Sequence, residues 1–539
     1  MERAISSEDV EKLRRRLSAE AGGGRMLSTA ELRRLAPSQA GGLRRKPVRS
    51  ASGVVPVAVM ASPSPCPHGR CVPCPGGPGA PYDSPQSYTG FEPAAARARE
   101  HGYRPGAQVA ARLEQLSACG HATGKVELIV MGGTFPARDP DYQRWFVGEC
   151  YGALNRSVAV QWKAGQTHAD ATLDADHGQT VAKLQLAKEE NERAPARCVA
   201  LTLETRPDRC ASQEIDAMLE LGATKVELGV QSLDDSVLLG IRRGHDVAEV
   251  ADATARLRDA GLKVGYHLMP GLPGLTREED LRAMLRVVED PDFRPDLLKL
   301  YPTLVMPGTE LHKSWLRGEY VPLDEAAAVA LLADFKSRLP RWVRVSRVER
   351  DIPAGLIAAG VRASNIRQLV QGRLRERGLR CACIRCREVG RLGTERPGRG
   401  TASPDPRGLV VREERYGASG GEELFLSLEL PEGDALVAYA RVRRPSPRAW
   451  RPEIAGAAVL REVRVLGEVL PLHARPRDGA GSLEWQHRGL GARLVGLSEE
   501  AARAWGMDRL AVMAGMGTRG YFGRLGYSLE GPYMVSPRL

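Results

Sequence analysis

Apolar positions follow two rhythms along this chain of 539 residues. From residue 56 to about 345, short runs rich in Val, Leu and Ile alternate with longer stretches whose apolar positions recur every three to four residues. The runs at 57–60, 126–131, 198–204, 225–230, 262–269, 297–301 and 342–345 predict strands. The stretches at 212–221, 246–260, 277–289 and 324–338 predict helices. Strand and helix in alternation predict an α/β fold with a parallel sheet or barrel. From about residue 411 the rhythm changes. Segments 422–430, 435–443 and 457–466 alternate like antiparallel strands. A helix at 489–505, a strand at 509–513, a short helix near Tyr521 and a last strand at Tyr533 follow. This predicts a separate α+β domain. At the other end, Ser7 opens a helix with Val10, Leu13 and Leu17 on one face, and Ser28 with Glu31 forms a capping box for a second. The expected division is a basic N-terminal extension at 1–55, a first domain at 56–345, a connector at 346–410 and a second domain at 411–539.

Composition changes this picture little. Hydrophobic content of 42% and charged content of 27% are ordinary for a globular protein. No apolar run is long enough to span a bilayer, so no membrane is expected, and the N-terminus lacks the apolar core of a signal peptide. Both point to a cytoplasmic protein. The net charge of +11 suits a polyanionic partner such as nucleic acid. GGLRRKPVRSASG reads as a basic, flexible linker, an arm for RNA phosphates. GTERPGRGTASPDPRG reads as a second flexible linker.

Six of the ten cysteines fall into two tight trios, Cys66/Cys71/Cys74 and Cys381/Cys383/Cys386. Clustered thiols in a reducing compartment read as metal ligands. For the first trio, spacing alone leaves two readings open. One is structural zinc with His68 as fourth ligand. The other is a 4Fe-4S cluster with one iron unligated. Its context favours the cluster. The loop follows the first strand, and Gly132, Gly133 and Thr134 follow the second, where exposed backbone meets a ligand. Glu204 and Arg206 end the third. Chemistry in such folds gathers at the carboxyl ends of strands. The second trio has no such context and reads as structural zinc in a basic segment. Arg347, Arg350, Arg380 and Arg385 are candidate RNA phosphate contacts. In the second domain, Gln486-His-Arg-Gly489-Leu490-Gly491 opens a helix whose N-terminal N–H groups would bind a pyrophosphate.

CPHGRCVPCPGG, PQSYTGFEP, KVELIVMGGTF, LTLETRPD, KVELGVQS, YHLMPGLPG and LYPTLVMPGTEL together resemble the catalytic subunit of Elongator, in its single-protein prokaryotic form. LREVRVLG, QHRGLG and GTRGYFGRLGYSLEGPYMV resemble a GNAT acetyltransferase domain. The resemblance runs from about residue 60 to the C-terminus. It implies a partial (β/α)6-type radical S-adenosylmethionine barrel, a zinc-braced connector and a GNAT domain. It implies an enzyme using acetyl-CoA and a 5′-deoxyadenosyl radical to place a carboxymethyl group on C5 of the wobble uridine of tRNA. Implied cofactors are a 4Fe-4S cluster on Cys66, Cys71 and Cys74 and S-adenosylmethionine at Gly132, Gly133, Thr134, Glu204 and Arg206; zinc on Cys381, Cys383 and Cys386 rests on their spacing. Acetyl-CoA contacts carry over to Glu462, Val463, Arg464, Val465, Leu490, Gly491, Ala492, Phe522 and Lys125, beside the Gln486 and Gly489 of the turn itself. Implied partners are the tRNA anticodon stem-loop and an electron donor, with a homodimer left open. Phe522 departs from the family's tyrosine pair, which leaves Tyr521 as the phenol for catalysis. Two other readings stand beside this one: a protein lysine acetyltransferase with a vestigial cluster, and a non-catalytic tRNA-binding scaffold.

Overall fold

The computed structural model describes residues 7–20, 25–36, 43–156, 177–395, 405–479 and 482–539. Seven parallel strands form one sheet in sequence order: β1 (Val55–Met60), β2 (Lys125–Met131), β3 (Arg197–Thr205), β4 (Lys225–Gln231), β5 (Lys263–Leu268), β6 (Leu297–Leu300) and β7 (Arg344–Arg347). Helices fill the crossovers, including Pro105–Ala118, Ser212–Glu220, Val247–Asp259, Arg277–Glu289 and Glu325–Ser337. β3 and β4, in the middle of the sheet, are buried along nearly their whole length. The sheet is open between β1 and β7, and the short β7 extends the six-strand pattern by one. Thr276 and Asp246 cap their helices with the boxes their sequences encode.

A second seven-stranded sheet has the order β13-β14-β12-β11-β10-β9-β8. Its strands are β8 (Val410–Ala418), β9 (Gly421–Leu430), β10 (Ala435–Arg444), β11 (Ala457–Val465), β12 (Arg509–Val512), β13 (Ser528–Glu530) and β14 (Tyr533–Val535). Neither β8 nor β13 was expected from the sequence. β8 is largely exposed and carries charge on both faces (VVREERYGA), which hides its period. Every pairing is antiparallel except β11 with β12.

The second sheet packs under the N-terminal ends of the barrel strands. Buried ions cross the contact. Arg461 holds Asp296 at 2.7 Å, Arg443 holds Asp259 at 2.7 Å, and Arg258 holds Glu423 at 2.9 Å, while Arg461 also holds Glu423 within the second sheet at 2.6 Å. Removing one member of such a network strands a buried charge, which typically costs about 3–5 kcal/mol. The two units are therefore one folded body.

Two linker expectations meet different fates. Residues 43–53 are not a loose arm. Val469 donates to the Ser50 carbonyl at 3.0 Å, Gly53 to the Gly467 carbonyl at 3.0 Å, and Ser52 to Glu388 at 3.1 Å. Ser50 through Gly53 are buried. The segment is a strap tied to the second sheet, because its backbone groups find partners that a flexible linker would leave to water. The other expected linker lies mostly outside the described residues. Among the described residues no helix is long and apolar enough to cross a membrane.

Candidate active site

The first cysteine trio follows β1 at the C-terminal face of the barrel. Cys71 and Cys74 are buried and Cys66 is partly exposed. Nitrogens surround the sulfurs: the Gln86 Nε2 donor is 3.4 Å from Cys74, the Arg243 donor is 3.6 Å from Cys71, and the His68 Nε2, whose tautomer sets which atom donates, is 3.1 Å from Cys71. Burial, then Arg206 and Arg243, lower the His68 pKa to about 4, so its ring is neutral near pH 7. Three thiols on one loop, ringed by nitrogens, suit an iron–sulfur cluster. They are not drawn together as zinc would need: Cys66, Cys71 and Cys74 are not among the groups whose ligand atoms all lie within 4.8 Å of one another.

Beside the loop, Gly132 and Gly133 take φ of +126° and +90°. A Cβ on Gly133 would stand 2.9 Å from the Gln86 side chain, so only glycine fits this close approach. Thr134 Oγ1 lies 3.5 Å from the Cys66 sulfur. Arg206 is committed elsewhere. It donates to Asp208 at 2.7 Å, to the Arg243 carbonyl at 2.7 Å and to the Gly244 carbonyl at 3.1 Å, pinning the loop after β4 beside the cysteines.

A cavity of about 1470 Å³ occupies the barrel. Cys66, Gly133, Thr134 and Glu204 line its upper end, and Lys263, Tyr439, Glu462 and Arg464 line its floor. Barrel interiors are normally packed with branched apolar side chains. This one is crossed by a ladder of buried ions. Tyr88 donates to Glu204 at 2.8 Å and Lys299 to Glu204 at 3.2 Å. Lys299 also pairs with Glu227, which accepts from His267 at 3.0 Å and pairs with Lys225 at 3.3 Å. Lys225 pairs with Glu127 at 2.5 Å, and Arg464 reaches Glu127 at 3.4 Å and Glu462 at 3.4 Å. Burial opposes ionisation of Glu462, but Arg464, Lys263 and Arg441 hold its pKa down at about 2. The sequence reading missed Tyr88, Glu227, His267, Lys299 and Tyr301. One signal could have found them: strands that are otherwise apolar carry charge at alternate positions, as in Lys225-Val-Glu227 and Lys299-Leu-Tyr301.

At the floor, β11 pairs with β12 only over Ala457–Leu460. Beyond that the two strands diverge, and Glu462, Val463, Arg464 and Val465 have one backbone edge without a strand partner. Gly489 has φ +79° and opens the helix Leu490–Ala504. Ala492 is in its first turn. The Tyr521 hydroxyl stands 2.9 Å from the point where a Gly491 Cβ would project, so glycine leaves room for the phenol. Phe522 is buried, packed edge-on against Tyr521 with centroids 5.2 Å apart. Lys125 proves to be part of this end. Its Nζ lies 2.7 Å from Gln486 Oε1 and 2.9 Å from His487 Nε2. Burial lowers its pKa to about 8. Gln486 in turn donates to the carbonyls of Gly53 and Val465.

The second trio is compact. Cys381, Cys383 and Cys386 bring their sulfurs within 4.8 Å of one another. The group lies behind β7, where Ile384 donates to the Val343 carbonyl at 2.9 Å. Lys336, fully buried, sets its Nζ 3.4 Å from the Cys381 sulfur and 3.9 Å from that of Cys386. Of the four arginines proposed for RNA, Arg347, Arg350 and Arg385 line the cavity. Arg347 pairs with Asp351 at 2.6 Å, and Arg350 lies 5.8 Å from the ring centroids of both Tyr88 and Tyr301. Arg380 stands apart, exposed, 3.5 Å from Asp434.

Residues 63–287 match the Radical SAM superfamily, and residues 295–376 match the Radical SAM C-terminal domain. The tRNA uridine(34) acetyltransferase of Methanocaldococcus jannaschii is 45% identical over 495 residues, covering 91% of this chain and 86% of that protein. Elongator complex protein 3 of Danio rerio is 41% identical, covering 92% and 85%. The solved structure of archaeal Methanocaldococcus infernus Elongator protein 3, with its N-terminus deleted, superposes with a TM-score of 0.74 at 40% identity. It covers 90% of this chain and 100% of that one.

Proposed function

The chain belongs to the family of the tRNA uridine(34) acetyltransferases and Elongator complex protein 3, and from that premise we propose that it places a carboxymethyl group on C5 of the wobble uridine of tRNA, taking two carbons from acetyl-CoA. One observation carries this reading: a single cavity is bounded by the cysteine loop at one end and by the unpaired edge of β11 at the other. An acetyltransferase acting on surface amines has no use for the first. A radical enzyme without an acyl donor has no use for the second.

Cys66, Cys71 and Cys74 would hold a 4Fe-4S cluster, which when bound supplies the electron that cleaves S-adenosylmethionine. Gly132, Gly133 and Thr134 would present backbone and hydroxyl to that cofactor, and Glu204 would accept from it. Arg206 acts by positioning the loop. At the floor, the N-terminus of helix Leu490–Ala504 would bind the pyrophosphate of acetyl-CoA, with Tyr521 beside it. The edge at Glu462–Val465 would pair with the pantetheine amides. Cys381, Cys383 and Cys386 would hold zinc and brace the joint between β7 and the second sheet. A wobble base leaves the anticodon stack to enter such a cavity. Tyr88 and Tyr301 offer it aromatic faces, and Arg347, Arg350 and Arg385 offer cations to the flanking phosphates.

The test is anaerobic reconstitution with iron and sulfide, then incubation with tRNA, acetyl-CoA, S-adenosylmethionine and a reductant. Digestion and mass spectrometry should reveal 5-carboxymethyluridine in the wild type and none with Cys66→Ala. A reconstituted chain that cleaves S-adenosylmethionine yet leaves every tRNA unmodified would reject the reading.

A further inference from the structure

Three lysines point into the barrel from adjacent strands, and one of them makes no direct ion pair. Lys225 on β4 pairs with Glu127 and Glu227, and Lys299 on β6 with Glu204 and Glu227. Lys263, the first residue of β5, is 7% exposed and lines the cavity floor. Among the described residues no carboxylate lies within 4.0 Å of its amine. Its Nζ reaches only the Arg461 carbonyl, at 3.5 Å.

The position of that carbonyl matters. Arg441 on β10 faces Glu462 while Val442 faces Leu460, so Arg461 is the extra residue of a β-bulge. It is also the first residue after the paired stretch of β11 and β12 ends. With the pyrophosphate at the turn before Leu490, the acyl arm would run back along the free edge from Val465. Four residues at about 3.3 Å each place its far end roughly 13 Å away, at Arg461. An amine waits there, buried, held by a backbone carbonyl and by no direct ion pair. Burial, with Arg464 and Lys225 adding to it against Glu462 and Glu127, lowers its pKa to about 8. Near neutral pH an appreciable fraction is therefore the free, nucleophilic amine.

We propose that Lys263 is an internal acetyl acceptor, modified by the acetyl-CoA bound to the same chain. This rests on the acetyl-CoA site proposed above. The neutral Nζ attacks the thioester carbonyl, the C–N bond forms and the C–S bond breaks. Coenzyme A leaves as the thiol after taking up the proton that nitrogen sheds. The acetylated side chain keeps an amide N–H for the Arg461 carbonyl but loses its charge. Glu462 then retains Arg464 and Arg441 as its cations.

The full-length chain would be incubated with acetyl-CoA in the absence of tRNA and mapped by peptide mass spectrometry. Acetylation at Lys263 should approach one group per chain, and excess unacetylated coenzyme A should suppress it while leaving adventitious labelling of surface lysines unchanged. Its rate should rise with pH through about 8 and level off above, because only the deprotonated amine reacts. Lys263→Arg, which keeps the charge, and Lys263→Met, which keeps the length, should both abolish that label with acetyl-CoA binding intact by calorimetry. Binding without label at Lys263, or label at Lys125 or Lys225 instead, overturns the acceptor proposal and leaves the acetyl-CoA site standing. Failure to bind acetyl-CoA overturns both.

Discussion

The two cysteine trios set the same side chain in two different arrangements. Tetrahedral zinc with Zn–S bonds of about 2.3 Å sets its sulfurs roughly 3.8 Å apart. Cys381, Cys383 and Cys386 already lie within 4.8 Å of one another. They sit behind a strand, next to the buried ammonium of Lys336, whose pKa the three thiols raise against the opposing effect of burial. Cys66, Cys71 and Cys74 are spread on a loop that faces the cavity, with nitrogens spaced around them. On the function proposed above, geometry would separate a brace from a reaction centre where composition cannot. A closed trio has nowhere to admit a substrate. An open one has no cause to be far from it.

Substitutions should break this contrast cleanly. The largest effect on activity is expected from Cys66→Ala. Iron content after reconstitution should fall to background and 5-carboxymethyluridine should vanish, while the thermal unfolding midpoint shifts little. Cys383→Ser should do the reverse. The residue is fully buried, and losing the metal it would hold should destabilise the chain by on the order of 4 kcal/mol in denaturant melts, with zinc lost and iron at the first trio retained. A variant of either trio that lost both metals together would refute the division of labour. Lys336→Met keeps all three thiols and removes only the ammonium beside them. Zinc affinity by competition with a chelator should weaken about 10–100-fold, the range typical for groups that support ligands from behind. His68→Phe is the mildest. It removes the ring nitrogen 3.1 Å from the Cys71 sulfur; with that nitrogen protonated toward a thiolate, its loss should make the cluster potential measured by spectroelectrochemistry more negative, with iron content unchanged. A drop in iron content instead would make His68 a ligand.

Much of this could be read along the chain. The strand runs, the capping boxes at Ser28, Asp246 and Thr276, and the glycines after β2 are local signals, because a period of two, a cap or a positive φ depends on a few neighbouring residues. The charged ladder was harder to see. Glu127, Glu227, His267 and Lys299 come from four strands, and each alone looks like an isolated polar residue in an apolar run. Only the side-by-side pairing of the strands sets them at hydrogen-bond distance.

The sequence by itself determined which residues could carry chemistry: two cysteine trios, a glycine turn after the second strand, and a helix opened by Gly489. Tertiary structure alone decided what those residues face. It tied residues 43–53 to the second sheet as a strap. It brought Lys125 to Gln486, 361 positions away. It left Lys263 without a carboxylate at the bulge of β11. The physical reason is the range of the forces involved. Backbone preference acts over a few residues, whereas burial and ion pairing depend on which distant surfaces are pressed together and how much water they exclude.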